Sequence, residues 1–409
     1  MTLTQKNSVW NMIGATLNAF TSLIYVIIVT WVNGVDNAGI FSFAFSMGIV
    51  LFCFGNYITR PFQVTDVSEK YSDSDYIYLR IFTCTVPVVF CVAFCLIKGY
   101  STYKSTIILL LCLYRMTEAF SETMYAVTQK NNLLYKVGVS MTVRALSQCF
   151  VFFVIDYITR NLVLATSTLV IINVLVCIFY DIPSAKKSGL VTTKFSLKIC
   201  AVILGVGFFN FALTLLNSFM LNIQKYAIAD ACSDEMQAIF GYIIMPATFM
   251  NLLGQYIIQP VLTTLSDAVK NKNADKFIKT SLKTISVVFM LGIPVFIVAY
   301  FLEAPVLSLV FGVNLEKYKT AMMIIIVGSV FYALQVVISY ILISCRVTFS
   351  QVVVYGIVSV LSFAVSYKVV SAVDLTPCAV VYSCSMFAVF LGLGALLLLK
   401  FAKMKKEWN

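Results

Sequence analysis

Arg115, Glu118 and Glu122 stand three and four residues apart in one apolar stretch. On a helix turning 100° per residue they share a sector of about 60°. A guanidinium on that face presents a planar fork that matches phosphate or carboxylate oxygens two at a time. The carboxylates are ion-coupling or ion-pair candidates. Arg144 is a second arginine inside an apolar run. Two readings stand. One is a structural ion pair between neighbouring helices; the other is a charged cavity in which Arg115 or Arg144 meets an anionic ligand.

Amides form a second pattern. Asn11, Asn18 and Tyr25 recur at seven-residue spacing, and so do Asn210, Asn217 and Gln224. Seven residues are about two helical turns, so each trio lies on one face. Such stripes either bond helices together within a membrane or line a wet cleft. Lys225 follows Gln224 and is placed to line an outer mouth. The segment Arg60-Pro61-Phe62-Gln63-Val64-Thr65-Asp66 mixes charge with aromatic side chains, as an interfacial elbow or a headgroup contact does. Asp156 and Lys368 read as side chains reaching for the interface. The chain has no histidine, and its 12 cysteines are scattered without a CxxC pair. That excludes His-based catalysis and gives no metal-ligand set, so neither metal nor cofactor is expected.

The elements that must position these residues are membrane spans. Hydrophobic residues make up 60% of the 409 positions and charged residues 11%, far from the composition of a soluble domain. This excludes a soluble enzyme, a nucleic-acid-binding domain and a disordered chain. Twelve spans of bilayer length take about 250 residues, which leaves only short loops and no room for a catalytic domain, so no enzymatic activity is expected. The expected fold is an all-α polytopic membrane protein with about 12 transmembrane helices. The spans are expected at 8–32, 36–58, 76–98, 105–127, 137–158, 162–180, 199–226, 237–263, 283–302, 319–345, 350–371 and 376–400. The net charge of +11 then reflects topology more than nucleic acid. With the N-terminus inside, about 20 of the 29 Lys and Arg fall on the cytoplasmic side, which predicts both termini cytoplasmic.

A shift of 199 residues, without gaps, brings Asn11 onto Asn210, Leu17 onto Leu216, Asn18 onto Asn217, Phe20 onto Phe219 and Ile24 onto Ile223. The block from Gly55 to Pro61 falls on the block from Gly254 to Pro260. After a small insertion, Pro87-Val88 matches Pro294-Val295. The shift equals six spans, so both halves keep one orientation and a parallel pseudo-two-fold repeat follows, with spans 1 and 7 facing a central cleft. The expected organisation is an N-terminal six-helix lobe over 1–185, a cytoplasmic linker over 186–198, and a C-terminal six-helix lobe with a basic tail over 199–409.

Gly34 to Phe41 with Tyr57 to Val67, and Gly241-Tyr242 through Met245-Pro246-Ala247 and Asn251-Leu252-Leu253 to Pro260-Val261-Leu262-Thr263, resemble a known family. It is the Wzx-type polysaccharide-biosynthesis flippases, which export O-antigen, capsule or teichoic-acid repeat units. They belong to the MOP superfamily, with the MATE drug exporters. The resemblance covers both halves. Relatives often carry arginine before the span-8 proline; Gln259 stands here, so Arg60 has no symmetric basic counterpart. The resemblance implies a MATE/MOP-like fold in the bacterial cytoplasmic (inner) membrane. It implies a polyprenyl-diphosphate-linked oligosaccharide moved from the cytoplasmic to the outer leaflet. Membrane lipids, a polysaccharide polymerase and other assembly proteins are its implied partners, and nucleic acid is not. Arg115, Arg144, Asn11, Asn18, Asn210, Asn217, Gln224, Lys225 and Arg60 are the substrate-binding candidates. The alternative is a MATE-like cation-coupled drug antiporter, which needs an uncompensated carboxylate; Glu118 and Glu122 keep it open.

Overall fold

The computed structural model describes residues 2–57, 60–64, 71–190, 196–258, 261–371 and 374–408. Among them the regular structure is entirely helical. The first unit contains α1 (Leu3–Asn33), α2 (Val35–Gly55), the short α3 (Arg60–Val64), α4 (Asp73–Lys98), α5 (Thr102–Lys130), α6 (Leu134–Thr159), α7 (Leu162–Val176) and α8 (Ile182–Lys187). Helix α9 (Leu197–Ala231) follows. Then come α10 (Asp234–Ile243), α11 (Met245–Ile258), α12 (Leu262–Lys270), α13 (Ala274–Phe311), α14 (Lys319–Ser344), α15 (Phe349–Val369) and α16 (Thr376–Trp408).

Local chemistry sets the helix ends. Thr2 and Ser72 each accept from a backbone N–H three residues on, while Gln5 and Asp75 reach back to the cap, forming capping boxes. Ser101, Asn161, Ser233 and Asn273 cap α5, α7, α10 and α13 with side-chain oxygens. Gly34, at φ 86°, breaks what would otherwise be one continuous helix into α1 and α2.

Ten helices among the described residues are long and apolar enough to cross a membrane. The expected fourth and eighth spans are not among them, for different reasons. Helix α5 has the length, 29 residues, but carries Arg115, Glu118 and Glu122 in its middle. The eighth span, read from the sequence as one helix, is two: α10 ends at Ile243 and α11 begins at Met245. Pro246 in the first turn of α11 has no N–H to give to a preceding turn. The sixth span also departs from a plain helix. A π-helical turn over Cys177–Asp181 joins α7 to α8, with Pro183 at the start of α8. Pro87 lies inside α4, and Pro294 and Pro305 lie inside α13.

The chain divides into two compact units, Met1–Phe211 and Ala212–Asn409, so the division falls within α9. In the first unit, α5 is central and packs on α2, α4 and α7, while α1 lies along α6. Tyr25, Phe41 and Phe152 form its aromatic centre, with Tyr25 and Phe152 rings 5.1 Å apart. The first turns of α9 join this unit: Cys200 and Ile203 pack on Tyr71, Tyr76 and Leu79, and the Tyr57 hydroxyl donates to the Leu204 carbonyl at 2.8 Å. In the second unit, α14 is central and packs on α11, α13 and α16.

The α1–α6 contact rests on backbone proximity. A side-chain carbon at Gly14 would meet the Gly138 carbonyl oxygen, and one at Gly138 would overlap the Trp10 carbonyl. Small residues permit this approach between membrane helices. Gly138→Val is therefore expected to force α1 off α6 at a cost of about 1–3 kcal/mol or more, read as a lower thermal-unfolding midpoint in detergent. Gly205→Ala, at a position with no atom near the added carbon, should leave the midpoint unchanged.

Candidate functional site

Helix α5 carries most of the charge. Arg115 Nη1 donates to Glu118 Oε2 at 2.5 Å, one turn further along the same helix. The guanidinium also lies over the Phe45 ring of α2, 4.5 Å from its centroid, and 5.2 Å from the Tyr114 ring. Asn18 Nδ2 from α1 donates to the other Glu118 oxygen at 3.3 Å. Both carboxylate oxygens are thus engaged. Glu122 turns toward α3, where Arg60 Nε lies 3.4 Å from its Oε2. The Nε of Arg115 and the Nη1 of Arg60 have no hydrogen-bond partner, so each guanidinium keeps a spare donor.

Arg144 belongs to a separate, more deeply buried network, in which its Nε and Nη1 also lack hydrogen-bond partners. Its Nη2 donates to Asp181 Oδ2 at 2.7 Å and to Ser121 Oγ at 2.9 Å. Ser140 donates to the other Asp181 oxygen at 2.5 Å, and the Tyr125 hydroxyl is 2.9 Å from Ser140. Exposure separates the two groups. The Arg144 and Asp181 side chains are 3% and 1% exposed, against 16% and 12% for Arg115 and Glu118.

One of the two sequence readings was an ion pair between neighbouring helices, Arg144 of span 5 with a carboxylate of span 4. The structure corrects this: the α5 residue that faces Arg144 is Ser121, while Glu118 points to α1 and Glu122 to α3. The counter-ion is Asp181, presented by the π-helical turn. Asp156 is also corrected. It does not reach for the interface but is fully buried, and Asn33 donates to both of its oxygens at 2.7 and 2.6 Å. Lys368 is exposed at the end of α15.

The amide stripe of α1 is spent inside its own unit. Asn18 reaches Glu118, and Tyr25 donates to Gln148 Oε1 of α6 at 3.2 Å. Gln148 passes the chain on to Asn173 Oδ1 at 2.7 Å, and Asn173 to the Tyr114 carbonyl at 3.0 Å. Asn11 is half-buried and makes none of these contacts. The second unit repeats the rungs. Asn217 lies beside Tyr332 where Asn18 meets Glu118, and Gln224 donates to Ser362 at 3.3 Å where Tyr25 meets Gln148. One shift of 199 residues relates the first members, and one of 214 relates their partners. At both repeated rungs the second unit is uncharged. Lys225 is half-buried next to Gln224, and Asn210 is exposed about four turns earlier. Gln259, Pro260, Thr65 and Asp66 lie outside the described residues.

Sequence reasoning missed three groups. Arg80 is buried and donates to the Thr123 hydroxyl at 2.8 Å and to the Gly55 carbonyl. Its signal was a charge about one turn inside the third span. Asp181 lies one residue past the expected end of the sixth span, 162–180. Gln148 and Asn173 are amides in otherwise apolar runs.

The described residues form a multi-pass helical membrane protein with the fold of MATE transporters. No protein-family model matches the chain. The structure is similar to an inward-facing multidrug resistance MATE family transporter of the MOP superfamily. The TM-score is 0.72 at 14% identity, over 97% of this chain and 99% of that one. A eukaryotic MATE transporter gives 0.65 at 10% identity, over 100% and 99%. A MOP superfamily transporter from Pyrococcus furiosus gives 0.60 at 13%, over 98% and 96%. In sequence, the chain is similar to the capsular polysaccharide biosynthesis protein CapF of Staphylococcus aureus. The two are 23% identical over 339 residues, covering 80% of this chain and 82% of that protein.

Breaking a buried ion pair on one side strands the other charge, at about 3–5 kcal/mol. Arg144→Ala should therefore lower accumulation and the unfolding midpoint. The apolar double change Arg144→Met with Asp181→Leu should recover most of the loss. Glu118→Gln or Glu122→Gln in place of the Asp181 change should recover none.

Proposed function

We propose that this protein is a flippase for a polyprenyl-diphosphate-linked oligosaccharide, moved from the cytoplasmic to the outer leaflet of the bacterial cytoplasmic membrane for surface-polysaccharide synthesis. The observation that carries the reading is the half-open cluster of Arg115, Glu118 and Asn18 within a MATE-type fold. The likeness to a capsular polysaccharide biosynthesis protein supports it.

A diphosphate in a low-dielectric layer needs cations with directed donors. Arg115 supplies a guanidinium that is fixed over Phe45, partly accessible, and left with an unpartnered N–H. With no ligand bound, Glu118 neutralises it. An arriving phosphate competes with that carboxylate, and Asn18 holds Glu118 aside. Arg60, also half-open and paired with Glu122, is the second cation, near the entrance the Lys and Arg asymmetry puts on the cytoplasmic side. Asn11, and Asn210, Asn217, Gln224 and Lys225 of the second unit, are the sugar-facing donors. Arg144 is held by Asp181 and serves as the brace behind α5. Transport proceeds by alternating access of two six-helix lobes, with both termini cytoplasmic. The polymerase that extends the glycan is the natural partner.

The second reading, a cation-coupled antiporter, requires an uncompensated carboxylate. Glu118 and Glu122 both have arginine partners, so neither of them is that carboxylate.

Arg115→Ala is expected to lower delivery of the cognate glycan to the cell surface at least about tenfold at equal protein level. Arg115→Lys should be intermediate, because an ammonium lacks the fork. Adding Glu118→Gln to Arg115→Ala should not restore delivery. Wild-type delivery in that charge-free double variant would reduce the cluster to a structural ion pair.

A further inference from the structure

Glu303 lies inside α13, eight residues before its end at Phe311. At 1.5 Å per residue that is about 12 Å from the helix end, one residue past the 283–302 span expected from the sequence. The residue is 7% exposed, and neither carboxyl oxygen has a hydrogen-bond partner. It shares the buried side of α13 with Ala304 and Phe311, while Leu302 and Val306 are exposed. Every α5 carboxylate in the first unit has a cation or an amide against it. Glu303 has neither.

The titratable groups on the elements packed around this stretch are otherwise occupied. On α10, the Tyr242 ring stacks on Phe311 at 4.0 Å. In the turn before α14, the Tyr318 hydroxyl meets Met236 Sδ at 3.6 Å, and Lys317 lies over the Tyr318 ring. On α14, Lys319 lies over the Tyr300 ring, 4.8 Å from its centroid. Asp234 and Glu235 open the first turn of α10, at its far end from Tyr242. Asp267 and Lys270 of α12 and the lysines closing α16 belong to the other end of α13, where Phe277 meets Phe401. None of them pairs with Glu303.

An ionised carboxylate cannot be held in such a place without a partner. The position demands a neutralising ligand of unit positive charge. A metal cation takes a shell of about six oxygens. No group of three or more acidic or thiol side chains able to hold a metal occurs among the described residues. A proton needs no shell.

We propose that Glu303 is a proton-carrying site of the second unit, neutral in the conformation described and ionised when that face of α13 opens to water. The exchange is an acid dissociation: the Glu303 carboxyl gives its proton to water, and the carboxylate takes one back as the site closes. Its part in driving lipid-linked glycan transport rests on the function proposed above; its proton binding does not. Pro294 and Pro305 flank the site within α13, and each removes one helix hydrogen bond, so the segment between them is the part of the helix freest to move as a unit.

The test uses the full chain in lipid nanodiscs, with the proton as probe. Infrared spectroscopy across a titration from acidic to alkaline buffer should show a protonated carboxyl stretch persisting at neutral pH. That stretch should be missing in Glu303→Gln, an isosteric change expected to accumulate like wild type. If Glu303→Gln accumulates poorly, Glu303→Met supplies the spectrum instead. An identical neutral-pH spectrum in wild type and variant overturns the proposal, whatever the glycan assay gives. In cells, a proton ionophore should lower surface glycan delivery by wild type and leave the residual delivery of Glu303→Gln unaffected. Equal sensitivity of the two would overturn the coupling role while leaving the flippase reading intact.

Discussion

In the hydrocarbon layer a charge has to find its counter-charge within the protein, and α5 carries one arginine and two carboxylates there. The way those three are neutralised organises the first unit. Arg115 closes on Glu118 within the helix, Asn18 fixes Glu118 from α1, and Arg60 meets Glu122 from α3. Behind them, Arg144 ties α6 to the π-helical turn through Asp181 and to α5 through Ser121. Asn18, Arg60 and Arg144 thereby join α5 to α1, α3 and α6. The packing that permits them depends on Gly138 letting α1 approach α6.

The two units have the same plan and different electrostatics. The rungs from Asn18 and Tyr25 in α1 to α5 and α6 recur from Asn217 and Gln224 in α9 to α14 and α15. At the rung where the first unit has Glu118, the second has Tyr332. Among the described residues, a duplicated scaffold has kept its amide ladder and placed its buried ion pairs on one side, the second unit's Lys403–Glu407 pair being exposed. The second unit carries instead an unpaired buried acid, Glu303, in a helix that contains two prolines. Anion recognition in one unit and proton binding in the other would divide the work of transport between them.

Much of the scaffold was legible in the sequence, because apolar run length and the 199-residue repeat are direct records of bilayer thickness and duplication. The common face of Arg115 and Glu118 followed from their spacing alone. What escaped was register between helices. Spacing along α5 cannot say which of Ser121 and Glu122 faces α6, and a π-helical turn moves Asp181 off any regular periodicity. Asp156 looked like an interfacial acid because its partner, Asn33, is 123 residues away in sequence. The break at Ile244 was written in Pro246, but the apolar character continues through it and hid the boundary.

The central claim is that ligand phosphate competes with Glu118 for Arg115. Binding of a polyprenyl diphosphate to the purified protein in nanodiscs tests it directly. The account predicts that Glu118→Gln, which frees the guanidinium, binds the diphosphate more tightly than wild type, while Arg115→Ala binds at least about tenfold more weakly, about 1.4 kcal/mol or more. Equal affinity in all three proteins, or weaker binding in Glu118→Gln, would contradict it.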